Sequence, residues 1–136
     1  MISITELNPK AYKLDSLQAS NLQILLHKIN QIRIIYNKPM VITSGVRTKE
    51  DQIRIYKEIA DRNNKQFELS KVPMNSMHLI GAACDVLDLD GSLMKWCKNN
   101  SLLLEQIGLW IEDDVSQPRV HFQIYPPKSG NRFFKP

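Results

Sequence analysis

One short run, residues 76–85 (Ser-Met-His-Leu-Ile-Gly-Ala-Ala-Cys-Asp), constrains the fold more than any other segment. Gly81 argues against a helix through this run, and the residues that follow it alternate as in a half-buried β-strand. Asp85 would then be an inward-facing carboxylate between apolar neighbours. Because an unpaired buried carboxylate is costly, the strand predicts a cation beside Asp85.

A second alternating segment, residues 119–125, supplies a polar strand face. Four side chains share that face: Arg119, His121, Gln123 and Tyr125. A single histidine in a strand is more often a hydrogen-bonded structural residue than a ligand. The combination of His78, Asp85 and His121 instead matches the borderline-soft ligand set that suits zinc, with a fourth position left for water. We therefore expect these three residues to bind Zn²⁺ at a hydrolytic site.

The pattern Ser-x-His-x-x-Gly-x-Ala-x-Asp resembles the first metal motif of the M15 peptidase family. These are zinc D-Ala-D-Ala carboxypeptidases and L-Ala-D-Glu endopeptidases of bacterial peptidoglycan, related in site plan to lysostaphin-type enzymes and hedgehog domains. Ser44-Gly45-Val-Arg47 is similar to the family's Ser-Gly-x-Arg segment. The resemblance covers about residues 40–125, and the phage-associated branch with a Val-His-Phe-Gln strand fits best.

The resemblance implies a zinc metallopeptidase that cuts peptidoglycan stem peptides, either an endopeptidase or a D,D-carboxypeptidase. It also implies a hedgehog/DD-peptidase-like α+β fold, in which N-terminal helices pack on a small, mostly antiparallel sheet that carries the zinc. Arg47 would hold a substrate carboxylate, a role that suits the planar guanidinium fork. Ser76 and Gln123 are expected to contact substrate or to orient the metal ligands. We expect one domain, residues 1–136, acting as a monomer.

The general base departs from the family pattern. Related carboxypeptidases place a glutamate or a histidine shortly before the last zinc ligand, where this chain has Pro118 and Arg119. The nearest acids follow the Gly-Leu-Trp strand, and Asp113 or Glu112 is the expected proton acceptor. The alternative is that these acids form a solvated hairpin loop. Arg119 could instead stabilise the oxyanion of the tetrahedral intermediate.

Two other functional classes remain open. One is a catalytically impaired zinc-binding module of the same fold, which binds cell wall or a protein partner, and Pro118 favours it. The other is a small basic nucleic-acid-binding domain. The net charge of +4 is spread among interspersed acids without a basic block, so we expect no nucleic-acid partner. We also expect Cys84 and Cys97 to be free, buried thiols.

The N-terminus has neither a basic region nor a continuous apolar core, so no signal peptide or membrane segment is expected. This predicts a protein that is cytoplasmic on synthesis and acts on the cell wall after release, as a phage endolysin does. A virion-associated enzyme is the alternative.

Hydrophobic spacing predicts the remaining elements. Helices are expected over about residues 15–37, 48–62, 92–99 and 102–107, and strands over 40–44, 108–112 and 119–125. The first helix has an apolar stripe that should face the core: Leu17, Leu22, Leu25, Ile29, Ile32 and Ile35. The C-terminal segment, residues 126–136, would either contact the wall polymer or cap a sheet edge with its two phenylalanines.

Overall fold

The N-terminal third of the chain is helical in the computed structural model, which describes residues 1–136. Helix α1 spans Ile4–Leu7, and helix α2 spans Ser16–Tyr36. The α2 helix begins with a reciprocal capping box between Asp15 and Gln18 and ends at Asn37, which has a left-handed backbone. The sequence pattern predicts α2 but not α1.

The apolar stripe of α2 is narrower than predicted. Its four central members are fully buried: Leu22, Leu25, Ile29 and Ile32. The prediction was wrong for Leu17 and Ile35, which are 53% and 51% exposed. Near the ends of α2, Asn21 and Tyr36 rather than Leu17 and Ile35 face the rest of the protein: Asn21 is buried, and Tyr36 packs against the core.

Five strands form one sheet, which confirms the predicted α+β class and its mostly antiparallel pairing. The strands are β1 (Ile42–Ser44), β2 (Ala83–Leu87), β3 (Trp110–Glu112), β4 (Arg119–Gln123) and β5 (Phe133–Phe134). Their order is β1-β2-β4-β3-β5. Only the β3–β5 pair is parallel. The two C-terminal phenylalanines therefore pair with β3 at the sheet edge, in agreement with the edge-capping alternative.

Three further helices complete the fold: α3 (Lys49–Arg62), α4 (Ser92–Asn99) and α5 (Ser101–Ile107). Two short 3₁₀ turns lie before β2, at Leu69–Lys71 and Met77–Ile80. Asp88 fixes the start of α4, because its two carboxylate oxygens accept hydrogen bonds from the backbone N–H groups of Leu93 and Met94. None of the helices is long and apolar enough to cross a membrane.

The two faces of the central strands have different surroundings. Cys84, Val86, Val120 and Phe122 belong to the apolar core shared with α2, α4 and α5. The intervening residues Asp85, His121 and Gln123 are also buried, but on the opposite face. Both cysteines are free and buried. The alternation thus gives the sheet one apolar face and one face with buried polar groups.

Candidate metal centre

Three residues from separate segments converge on the polar face of the sheet. Asp85 and His121 are direct neighbours across the antiparallel β2–β4 pair. His78 comes from the 3₁₀ turn before β2. The potential ligand atoms of the three residues lie within 4.8 Å of one another, and each residue is at least nine-tenths buried. This group could hold a metal ion, as the sequence predicted.

The ring of His78 is oriented by the segment after β1. Its Nδ1 lies 2.8 Å from the carbonyl oxygen of Gly45, which can only accept, so Nδ1 carries the hydrogen. The backbone N–H of Arg47 in turn donates to the carbonyl oxygen of His78 at 3.0 Å. These two bonds tie the Ser-Gly-x-Arg segment to the metal motif and leave Nε2 of His78 facing Asp85 at 3.4 Å.

Helix α2 holds the turn that carries His78. Gln18 donates its side-chain amide to the carbonyl oxygen of Leu79, and Asn21 donates to that of Ile80. The turn ends at Gly81, whose φ is 73°. A Cβ atom there would lie 2.7 Å from the carbonyl oxygen of Gln18. Gly81 is therefore required both by its left-handed backbone and by the close approach of α2.

The ring of His121 is oriented by Gln123. The side-chain nitrogen of Gln123 donates to the carbonyl oxygen of Tyr125, so its Oε1 must face His121. His121 Nε2 lies 2.9 Å from that Oε1 and donates to it. The other ring nitrogen, Nδ1, lies 3.0 Å from Asp85 Oδ1. Gln123 thus selects Nδ1 of His121 as the nitrogen available for a metal.

The convergence of these atoms suits a bound cation. Both rings carry a hydrogen on the side away from Asp85, so two lone pairs and a carboxylate would face one another. Burial lowers the pKa of His78 and favours its neutral form. Burial alone would raise the pKa of Asp85, but hydrogen bonds with His121 and His78 hold it well below its usual range. Those bonds need a proton on a facing nitrogen, and a divalent metal would replace that proton.

Two arginines approach Asp85, one at each carboxylate oxygen. Arg119 Nη1 is 3.3 Å from Oδ1, and Arg47 Nη2 is 3.7 Å from Oδ2. Arg47 is also held at Nε by Ser44 Oγ and at Nη1 by Gln52 Oε1. Burial lowers its pKa, but a guanidinium remains charged. Its N–H groups that Ser44 and Gln52 do not engage could donate to a substrate carboxylate.

Gln52 is a positioning residue that sequence analysis missed. It lies on the first turn of α3, is 1% exposed, and donates its amide to the carbonyl oxygen of Pro73. Both ends of its amide are therefore engaged, which fixes the Arg47 side chain. Its signal in the sequence was weak, since a glutamine on a polar helix usually faces solvent.

The three residues and both arginines line a cleft of about 410 Å³, called here the central cleft. The other predicted residues that line it are Ser76, Gln123 and Glu112. Ser76 caps the 3₁₀ turn by accepting from the N–H of His78. Asn75 also lines the central cleft, as do Tyr56 and Pro136, which were not predicted.

The structure separates the two candidate bases. Glu112 is the β3 neighbour of His121 across the β3–β4 pair, so its side chain emerges on the polar face. Asp113 is not among the lining residues. Its carboxylate pairs with Lys98 at 3.0 Å and Lys135 at 3.4 Å, and the hydrogen bond from Lys98 is the main cause of its lowered pKa. The two adjacent acids therefore have different surroundings, although the sequence made both of them candidate proton acceptors.

Comparisons with known proteins yielded no relative. No protein-family model matches the chain, and no curated protein or solved structure matches it. What is known of this site therefore comes from its own geometry and from the motifs in the sequence.

Proposed function

We propose that this protein is a zinc-dependent peptidase that hydrolyses an amide bond in peptidoglycan stem peptides. The observation that carries the proposal is the convergence of His78 Nε2, His121 Nδ1 and an ionised Asp85 at the floor of the central cleft. Two imidazoles with one carboxylate are a ligand set of catalytic zinc sites. The motif resemblance to M15 peptidases supplies the substrate class and a hedgehog/DD-peptidase-like fold.

The zinc ion would be held by His78, Asp85 and His121, with Gly45 and Gln123 fixing the two rings. When bound, zinc polarises a substrate carbonyl and lowers the pKa of a coordinated water to about 7. The remaining chemistry belongs to the side chains around the central cleft.

Glu112 is the proposed proton acceptor and donor. Its carboxylate lines the central cleft and makes no ion pair or hydrogen bond, so it is free to exchange protons with a reacting group. Asp113 is the weaker candidate of the two, because Lys98 and Lys135 hold its carboxylate elsewhere. Glu112 would take the place of the acid that is absent at Pro118.

The arginines have separate proposed roles. Arg47, immobilised by Ser44 and Gln52, would bind a substrate carboxylate with the N–H groups that these two residues leave unengaged. Arg119 is about one-third exposed and donates to Asp85 through Nη1, and it would stabilise negative charge on the substrate oxygen. A chain with this activity would act on the cell wall after release, as a phage lysis enzyme does.

The test is digestion of purified peptidoglycan and soluble stem peptides, with and without a chelator, with the new termini read by mass spectrometry. We expect chelator-sensitive cleavage and near-stoichiometric zinc. Glu112→Gln should lower kcat by about 100-fold or more while zinc is retained. The adjacent-residue control, Asp113→Asn, should stay within about threefold of the unmodified chain.

Three results would each contradict a different part of the proposal. Intact substrate with zinc fully bound would make the protein a zinc-binding module of the same fold. Failure of the chain to bind zinc at neutral pH would refute the metal assignment itself. Loss of activity in Asp113→Asn but not in Glu112→Gln would reverse the assignment of the base.

A further inference from the structure

Asn21 is a buried polar residue of α2. Its side chain is 1% exposed, and the next residue, Leu22, belongs to the apolar core. Burying an amide without hydrogen bonds costs free energy, so the partners of a buried asparagine show what holds it in place. Both side-chain hydrogen bonds of Asn21 reach segments that are far from α2 in the sequence.

The amide of Asn21 is fixed in one orientation. Its Nδ2 donates to the carbonyl oxygen of Ile80 at 2.9 Å, and because a carbonyl can only accept, the amide nitrogen lies on that side. Its Oδ1 accepts a hydrogen bond from the hydroxyl of Tyr125 at 2.6 Å. Ile80 is the last residue of the 3₁₀ turn that carries His78. The nitrogen side of the amide therefore holds the segment of the first histidine.

Tyr125 connects the oxygen side of the amide to the second histidine. It follows the end of β4, and its carbonyl oxygen accepts from Gln123 Nε2 at 2.8 Å. Gln123 Oε1 in turn accepts from His121 Nε2 at 2.9 Å. The residue whose hydroxyl bonds to Asn21 is therefore the same residue whose backbone orients Gln123 against the His121 ring.

We propose that Asn21 is a positioning residue of the metal centre, which fixes the segment of His78 relative to the segment of His121. The β2–β4 pairing already fixes Asp85 against His121, because the two residues are direct neighbours. His78 lies outside the sheet, so the placement of its ring depends on the contacts that hold its turn. Zinc binds its ligands at narrowly defined distances, so a displaced turn weakens binding. The inference rests on the proposed function in one respect, the binding of a metal by these histidines.

A double-mutant cycle tests whether the two hydrogen bonds act as one bridge. Its variants are Tyr125→Phe, which removes only the hydroxyl, Asn21→Ala, and the two combined, with Zn²⁺ affinity measured by competitive titration. Gln18 also holds the turn, through the carbonyl oxygen of Leu79, so the loss should be partial. We expect Tyr125→Phe to weaken Zn²⁺ binding by about three- to tenfold. In the Asn21→Ala background the same change should alter the affinity by less than about twofold, because the hydroxyl has lost its acceptor.

Asn30 provides a matched control on the same helix. Its amide also makes two hydrogen bonds, both with the backbone of Ile2, which belongs to neither histidine segment. Asn30→Ala should lower the urea midpoint of the metal-free protein but leave Zn²⁺ affinity within about twofold. Co²⁺ bound in place of Zn²⁺ adds a spectroscopic readout, since its visible absorption depends on coordination geometry. We expect the Co²⁺ bands to shift in Tyr125→Phe and to stay unchanged in Asn30→Ala.

The outcomes separate this inference from the proposed function. Unchanged Zn²⁺ affinity and Co²⁺ bands in Tyr125→Phe would overturn the inference, even if Asn21→Ala failed to fold. Equal losses of affinity from Tyr125→Phe in both backgrounds would also overturn it, because the two residues would then act independently. In either case, chelator-sensitive cleavage of stem peptides by the unmodified chain would keep the proposed function. Failure of the unmodified chain to bind either metal would refute both.

Discussion

Gly45 lies against α1 and also orients His78, so replacing it by alanine should lower both the stability of the fold and the affinity for zinc. A Cβ atom at this position would lie 2.0 Å from the carbonyl oxygen of Leu7, and two other backbone atoms of Leu7 lie within 3.0 Å. Because all of these atoms are backbone, α1 would have to move away from the segment after β1. That movement would break the hydrogen bond from the Val46 N–H to the Leu7 carbonyl oxygen, which is 2.9 Å long.

The expected cost follows from these contacts. Overpacking of a close contact costs about 2 kcal/mol, at the middle of its usual range. Loss of the Val46–Leu7 hydrogen bond adds about 1 kcal/mol. We therefore expect Gly45→Ala to lower the free energy of unfolding by about 3 kcal/mol. Displacement of the Gly45 carbonyl, which orients His78, should also weaken zinc binding by about 10- to 100-fold.

Urea unfolding and competitive zinc titration measure the two effects. Gly91→Ala is the matched control, because Gly91 has a φ of 75° but no atom within 4 Å of a new Cβ. Its cost should be the conformational penalty alone, about 1 kcal/mol, with zinc affinity unchanged. If Gly45→Ala costs no more than Gly91→Ala, the close contact with Leu7 does not limit this position. If it destabilises the fold but leaves zinc affinity intact, the Gly45 carbonyl does not orient His78.

Three further outcomes are expected. Gln123→Ala should lower zinc affinity by about tenfold or more in a competitive titration, because the ring of His121 loses its hydrogen-bond partner. An unchanged affinity would show that Gln123 does not orient His121. Zinc at a free concentration of about 100 times its Kd should stabilise the chelator-treated protein by about 2.7 kcal/mol in urea unfolding, and no shift would argue against a site in the folded state. Asp88→Ala should lower the free energy of unfolding by about 2 kcal/mol, because two backbone N–H groups at the start of α4 lose their acceptor. The control, Asp90→Ala, removes one exposed hydrogen bond from Ser92 and should lower it by less than about 1 kcal/mol.

Much of the fold was predictable because it depends on local patterns. The alternation of side chains along β2 and along β4 predicted which residues share a strand face with Asp85 and with His121. Helical spacing and capping residues predicted α2 and α3. The apolar stripe of α2 was overestimated at Leu17 and Ile35, because periodicity identifies a face but not how far a neighbouring element covers it. Helix α1 was not predicted, because a helix of four residues is too short to show a helical spacing of apolar residues.

The choice between Glu112 and Asp113 depended on strand register. Glu112 is the last residue of β3 and Asp113 follows it directly, and sequence spacing could not tell which side each would face. Pairing of Glu112 with His121 turns one acid into the central cleft and leaves the next to Lys98 and Lys135. A one-residue change of register would exchange the two, so this information exists only once the strands have paired.

The sequence by itself determined which chemical groups this protein has for a metal and which strand faces carry them. Those properties follow from residue type and from a period of two, which need no distant contact. Only the tertiary structure decided which ring nitrogens face Asp85 and that Gln52 immobilises Arg47. Each of these depends on atoms brought together from segments far apart in the chain, and their relative positions are set by packing of the whole core.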